Sequence, residues 1–246
     1  LRLLSKKSVY NLKIQSRFMK KSLLTLMFFA AAAVSRAAVL ITPTGATASL
    51  TFTPPSPGIN FFPIGNIVNN SGLSGATTLA NYTTISHASA SGTTAWTTDD
   101  PTPNGGDWFA EGNAPVAIEL PLGGLYSVTE FVFWGYHFGG PNSNEARAFT
   151  MDFSTDGGSS YGSTTNVAQP LGSPAVNSPA TLSLGGNFIA DTIRITITDN
   201  HFGSGFGGGD RLGLGEVKFI GTAVPEPSTV LFGLAGLAAL VRRRRA

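Results

Sequence analysis

Hydrophobic and polar residues alternate with a period of two through the middle of the chain. Ala48, Leu50 and Phe52 alternate with Ser49, Thr51 and Thr53, and Phe149, Met151 and Phe153 with Thr150, Asp152 and Ser154. Ile193, Ile195 and Ile197 alternate with Arg194, Thr196 and Thr198. Successive side chains of a strand point to opposite faces, so each run predicts a strand with one face in a core. Residues 128–134 are apolar at nearly every position and predict a central strand covered on both faces. Shorter strands are expected at 116–120, 181–184 and 216–221. Between residues 38 and 222 no stretch repeats at helical spacing, and Gly, Pro, Ser and Asn fill the connections. The pattern therefore predicts an all-β chain, a single β-sandwich or jelly roll with long loops. No internal repeat is present, which argues against a propeller or solenoid. The Pro/Ser-rich residues 53–58 predict a turn or edge crossing, since proline cannot donate to a ladder.

Two segments break this pattern, one near each end. Met19, Lys20 and Lys21 precede twelve residues (23–34) that are apolar except for Thr25, and Ser35, Ala37 and Ala38 follow. A positive stretch, a short apolar stretch and small residues make a secretory signal peptide over 19–37, cleaved after Ser35 or Ala37. A membrane anchor is the weaker reading, because a spanning helix wants about 20 apolar residues. Residues 1–18 precede the first Met and are read as a mis-called start, with a cytosolic extension as the alternative. At the other end, twelve apolar residues (230–241) precede Arg242, Arg243, Arg244 and Arg245. As a helix this run is about 18 Å long, short for a bilayer unless the bilayer thins locally. The arginines should stay cytoplasmic, which places the sandwich on the far side of the membrane. The expected layout is thus a sandwich at 38–222 flanked by an N-terminal signal helix and a C-terminal hydrophobic helix.

Charge sharpens this division. The formal net charge is +2, and there is no cysteine. Twelve of the sixteen basic residues lie in the terminal segments, and the stretch 38–223 holds four basic residues against thirteen acidic ones, a net −9. A nucleic-acid partner is not expected for that domain. Absence of cysteine removes disulfides, thiolate nucleophiles and Cys-ligated metals.

The order Pro225-Glu226-Pro227, short hydrophobic helix and arginine cluster resembles the PEP-CTERM sorting signal of Gram-negative bacteria over residues 224–246. The resemblance implies recognition at Pro225, Glu226 and Pro227 by an exosortase, a membrane cysteine protease that removes the tail. It implies Sec export through signal peptidase, transient anchoring in the inner membrane, and a cell-surface or matrix location linked to exopolysaccharide and biofilm. In the middle, residues 118–123 and 126–134, then 149–158 (FTMDFSTDGG), 191–198 (DTIRITIT) and 212–221 (LGLGEVKFIG) resemble the galactose-binding-like jelly roll of discoidin or coagulation-factor C-type domains. That resemblance covers about residues 66–221. It implies sugar or lipid-headgroup binding by loops at one end, with one structural calcium, and it makes Glu216 the preferred ligand. The chain departs from the family in lacking a D-G-N-x-x-T-x-W calcium loop.

The candidate chemistry sits in loops. Asp99, Asp100 and Asp107 lie close together beside Trp96 and Trp108. Carboxylates of this kind suit calcium and exposed tryptophans suit sugar stacking, while a solvated acidic loop with both rings packed inward is the competing reading. His137 and His201 follow Tyr136 and Asn200 in Gly-rich loops, and with Arg147 and Arg211 they would rim a ligand face at the loop end; ordinary exposed loop histidines are the plainer expectation. Residues 154–161 fit one sialidase-type Asp-box, read as a hairpin turn. No H-x-x-x-H, nucleophile elbow or P-loop pattern occurs. The sequence thus favours a non-catalytic surface or matrix protein associated with carbohydrate. The alternative is a polysaccharide-acting enzyme, which needs two carboxylates across a cleft and would draw on Glu111, Glu119 or Glu145.

Overall fold

The computed structural model describes residues 36–51, 62–99 and 106–225. The upstream residues 1–18, most of the signal segment, the Pro/Ser-rich 53–58, Asp100, Glu226, Pro227, the C-terminal apolar run and Arg242 to Arg245 lie outside the described residues. A compact unit spans Ala37–Val224. Its strands are β1 (Val39–Ile41), β2 (Thr47–Ala48), β3 (Trp96–Thr97), β4 (Val116–Gly135), β5 (Ala146–Ser154), β6 (Ser163–Ala168), β7 (Ala180–Asn200) and β8 (Gly213–Ala223). They run in the order β1-β8-β4-β7-β5-β6, with β2 added on β4 and β3 on β8. Every strand pair is antiparallel.

Two pairs of expected strands prove to be single long ones. Residues 116–120 and 128–134 both belong to β4, and 181–184 and 193–198 both belong to β7. The two pair from Val116↔Ile197 to Phe133↔Ala180, with register breaks between Pro121 and Tyr126 and between Val128 and Glu130. β4 carries Leu-Gly-Gly (122–124) at the first break and β7 carries it (184–186) at the second, and Gly123 and Gly185 both have φ 74°. Glycine enters that left-handed region without steric cost, so the ribbon can bend there. Beyond the bend, the second half of β4 pairs with β8, while β5 pairs with the second half of β7. Phe131 and Phe133 then meet Phe149 of β5 at ring-centroid distances of 5.1 and 5.3 Å. Those contacts are possible only if the ribbon folds back on itself, and the result is a two-layer sandwich.

The core between the layers holds Ile118, Leu120, Phe131, Phe133, Phe149, Met151, Ile193, Ile195, Ile197, Val217 and Phe219, the inward positions of the predicted alternation. Residues 128–134 are apolar on the other face as well because residues 62–90 cover it. Val132, Trp134 and Ile220 pack there with Leu40, Leu73, Tyr82 and Ile85, and Trp134 Nε1 donates to the Ile85 carbonyl at 2.8 Å. This cover contains only two 3-10 turns, at Ile64–Val68 and Tyr82–Thr84.

The registers define two ends. One, the arch end, carries the bends of β4 and β7, the β5–β6 turn and the exit of β8 at Ala223. The other, the loop end, carries the connections β4–β5 (136–145), β6–β7 (169–179) and β7–β8 (201–212), together with the segment around β3. At the arch end, Ser154, Asp156 and Ser160 close the β5–β6 turn through their own hydrogen bonds. That is the hairpin role expected for the Asp-box residues. No described helix is long and apolar enough to cross a membrane.

Candidate functional site

Two loops of the loop end share one local design. His137-Phe138-Gly139 follows β4 and His201-Phe202-Gly203 follows β7, and both glycines sit at positive φ (80° and 81°). In each triplet the histidine is buried and the phenylalanine is not. His137 and His201 are 2% and 0% exposed, whereas Phe138 is 57% and Phe202 40% exposed. His137 Nδ1 accepts from the Gly139 N–H at 3.2 Å and its Nε2 faces the His87 carbonyl at 3.2 Å, a pattern that fits the neutral Nε2–H tautomer. His201 Nδ1 accepts from the Gly172 N–H at 3.3 Å and Nε2 faces Gln169 Oε1 at 3.3 Å. Burial lowers both histidines, His201 to about 4 with Arg147 as the next cause. Neither is the exposed loop histidine expected from sequence, because each uses its ring nitrogens to tie its own loop down.

The anchoring holds the phenylalanines outward. Phe138 packs edge-on against the buried Tyr136 ring at 5.2 Å. Phe202 lies against Gly209, where any Cβ would collide with its ring. The Gly-rich β7–β8 loop is fixed in turn: Asn144 Oδ1 accepts from the Gly209 N–H, and the Gly209 carbonyl accepts from Asn200 Nδ2 and the Trp108 N–H, both at 2.8 Å. Ser143 N–H donates to the Gly207 carbonyl at 2.9 Å, joining this loop to the β4–β5 loop. Leu171, 50% exposed, adds an apolar residue from the β6–β7 loop. Exposed Phe138 and Phe202 were missed in the sequence, where the two H-F-G triplets in Gly-rich loops were the available signal.

The residues singled out from sequence fall into other roles. Trp96 and Trp108 are buried in the core, 0% and 2% exposed, so neither offers a face to a sugar. Trp108 and Asp99 do line one cavity of about 550 Å³ with Leu50, Asn113 and Val116. Asp107 Oδ1 accepts from the Phe109 N–H at 3.1 Å, a local turn bond. Arg147 spends its guanidinium on the Asn200 and Gln169 carbonyls and on Asp199, which makes it a clamp between loops. Arg211 Nε faces Asp210 Oδ1 at 3.4 Å.

At Glu216 the donor set does not fit the calcium implied by resemblance. Glu216 is fully buried, its Oε2 accepts from the Asn70 N–H at 3.0 Å, and its Oε1 faces Lys218 Nζ at 3.4 Å. An ammonium already holds the place beside this carboxylate. Among the described residues no group of three or more His, Asp or Glu side chains converges.

Of the glutamates considered for hydrolysis, Glu119 and Glu145 are held by different partners. Glu119 lies on β4 and accepts from the Tyr161 hydroxyl at 3.0 Å. Glu145 is fully buried at the loop end, where its Oε1 accepts from the Ala175 N–H at 2.7 Å and Oε2 has no partner. Burial pushes Glu145 up to about 8, so it is the neutral acid at pH 7.

Comparison with known proteins bears on the C-terminal segment and on the fold of the sandwich. Residues 223–245 match the PEP-CTERM protein-sorting motif, which marks the chain for export and exosortase processing. The sandwich resembles a fragment (298–461) of a putative chitobiase from Bacteroides thetaiotaomicron, with TM-score 0.50 and 16% identity over 76% of this chain and 95% of the fragment. Also similar are two family 32 carbohydrate-binding modules of Clostridium perfringens. One, in complex with GalNAc-β-1,3-galactose, has TM-score 0.43 and 17% identity over 71% of this chain and 92% of the module. The other, from NanJ in complex with galactose, has TM-score 0.42 and 15% identity over 75% of this chain and 99% of the module. No curated protein matches the chain. The sandwich thus shares its fold with that chitobiase fragment, and residues 223–245 carry a PEP-CTERM sorting motif.

Proposed function

We propose that the exported domain is a non-catalytic module that binds neutral glycans of the extracellular polymer through its loop end. The observation that carries this reading is the pair of exposed phenylalanines, each held outward by a buried histidine and a left-handed glycine on neighbouring loops. Aromatic faces stack on the apolar faces of sugar rings, and polar groups beside them set orientation. Charge selects the class of glycan. Among the described residues, the basic residues of the loop end are Arg147 and Arg211, each facing an aspartate, while Asp99, Asp107 and Glu111 lie on the same end. A uronate or sulfated chain would meet net negative charge there, and a neutral hexose or N-acetylhexosamine would not.

Affinity electrophoresis in gels containing neutral galactans, chitin oligomers or alginate tests this. Retardation is expected in a neutral polymer and not in alginate. Phe138→Ala and Phe202→Ala should each weaken it about two- to tenfold, the size of one aromatic contact. Each change should lower the thermal midpoint only slightly, since both rings are partly exposed and each gives up one packing contact. Unaltered retardation in the double variant would remove the loop end from the function.

A further inference from the structure

Lys218 lies on β8 with no solvent exposure, on the face opposite its core-facing neighbours Val217 and Phe219. Its Nζ donates to Thr42 Oγ1 at 2.9 Å and Asn70 Oδ1 at 2.6 Å, and faces Glu216 Oε1 at 3.4 Å. An ammonium has three donors, and here they meet three oxygens. These come from three separate parts of the chain: the residue after β1, the turn at residue 70 in the cover, and β8. Glu216 closes the ring by accepting from the Asn70 N–H. Asn70 has φ 62°, the one positive φ outside glycine among the described residues, and that turn aims its amide inward.

We infer that Lys218 is a built-in structural cation: its tethered ammonium does in this chain what a bound calcium is expected to do beside Glu216, so that the domain folds without a divalent ion. The donor chemistry (hydroxyl, amide, carboxylate) is the kind calcium takes, but calcium requires six to eight oxygens at about 2.3–2.6 Å. Three acceptors at ammonium hydrogen-bond lengths do not meet that requirement, and a doubly charged ion would be repelled by the resident ammonium. Glu216, raised to about 7 by burial, is drawn back toward its charged form chiefly by Lys218. The purpose lies in what the cage joins. The cover over Trp134 and Ile220 is irregular, with a single isolated bridge, Leu73↔His87, in place of a ladder. Side chains must therefore fasten it to β8, and the Lys218 cage does so without drawing on dissolved calcium.

Thermal unfolding of the exported protein gives the test. In the chain carrying Asp99→Asn, Asp100→Asn and Asp107→Asn, which removes the acidic loop from the comparison, EDTA and millimolar calcium should give the same midpoint. A fall in EDTA that calcium reverses overturns the inference. Lys218→Ala should lower the midpoint, and ethylammonium should restore part of the loss where sodium at equal ionic strength does not. A folded Lys218→Ala protein that is indifferent to ethylammonium overturns it too. If that variant fails to fold, Lys218→Met is compared with the double change Lys218→Met, Glu216→Gln. The double variant should unfold at the higher temperature, because it leaves no unpaired buried charge, and equal midpoints contradict the ion pair. Finally, the intact mass must equal that of the processed sequence. A deficit of one ammonia that maps to a crosslink between the Asn70 and Lys218 peptides would mean that Asn70 had acylated Nζ, replacing the ion by a covalent bond, and would overturn the assignment.

Discussion

Glu145 and His201 sit 4.0 Å apart, both fully buried, and burial moves them in opposite directions. Glu145 rises from 4.5 to about 8, and His201 falls from 6.5 to about 4, so both are neutral at pH 7. A carboxyl with a raised value contributes stability that is complete below about 4.5 and is lost as pH climbs through 8. The lowered histidine contributes stability that is complete above 6.5 and is lost as pH falls through about 4. Between 4.5 and 6.5 the two slopes oppose each other, and above 6.5 only carboxyl losses remain. The thermal midpoint should therefore decline from pH 6.5 to 8, and Glu145→Gln, which keeps an acceptor for the Ala175 N–H, should flatten that decline. An undiminished slope in the glutamine variant would place the titration elsewhere. Glu145→Ala leaves the Ala175 donor unpaired and should cost about 1–3 kcal/mol by chemical denaturation.

The same scale shows where residue type misleads. Polarity alone sends Phe138 and Phe202 inward and His137 and His201 outward, and the protein does the reverse. The deciding factors are hydrogen bonds to Gly172, Gly139, Gln169 and the His87 carbonyl, partners that no local pattern in the sequence reveals. Trp96 and Trp108 illustrate the opposite limit: an acidic neighbourhood suggested exposure, but large aromatic area found the core.

At the scale of elements, periodicity located the amphipathic strands β5 and β7 and the closing β8, since one buried face leaves a period-two trace. It missed β6, whose sequence STTNVA has a single buried residue, Val167, on an edge strand. It also missed β1 and β3, three and two residues long, which are too short to show a period. The division of β4 and β7 into separate pieces was reasonable, because Leu-Gly-Gly reads as a strand terminator when it is in fact a bend inside a continuous ribbon. The two bends make a graded prediction. At Gly185 an added Cβ meets open space, whereas at Gly123 it would lie 2.6 Å from Thr44 Cγ2. Gly185→Ala should cost only the left-handed strain, about 1–2 kcal/mol, and Gly185→Asn less. Gly123→Ala should cost more than Gly185→Ala, because Thr44 must also shift. Urea denaturation with an unchanged slope would read these as stability differences; equal losses at the two sites would show that the bend at Gly123 opens freely.

At the scale of the molecule, the domain's chain exit and its exposed aromatic loops occupy opposite ends. β8 finishes at Ala223 on the arch end, and the Val224 N–H bonds to the Leu125 carbonyl there at 2.8 Å. Five residues separate Val224 from the apolar run that begins at Val230. Even fully extended, that linker reaches only about 20 Å. β8 itself, at about 3.3 Å per residue, carries the loop end roughly 35 Å further along the strand direction. For a precursor whose uncut tail lies in lipid, the prediction is that the arch end stays near the membrane and the loop end reaches polymer without waiting for exosortase. The absence of cysteine makes this directly measurable, since any introduced thiol is unique. Ser173→Cys lies in the β6–β7 loop and Ser159→Cys in the β5–β6 turn of the arch end, both at exposed positions. In membrane-retained precursor, a bulky maleimide should label the first as fast as in the released protein and the second more slowly. Release of the tail should equalise the two rates. Equal rates before release would mean that the domain rotates freely on its linker, and the advantage of placing the aromatic loops opposite the tether would disappear.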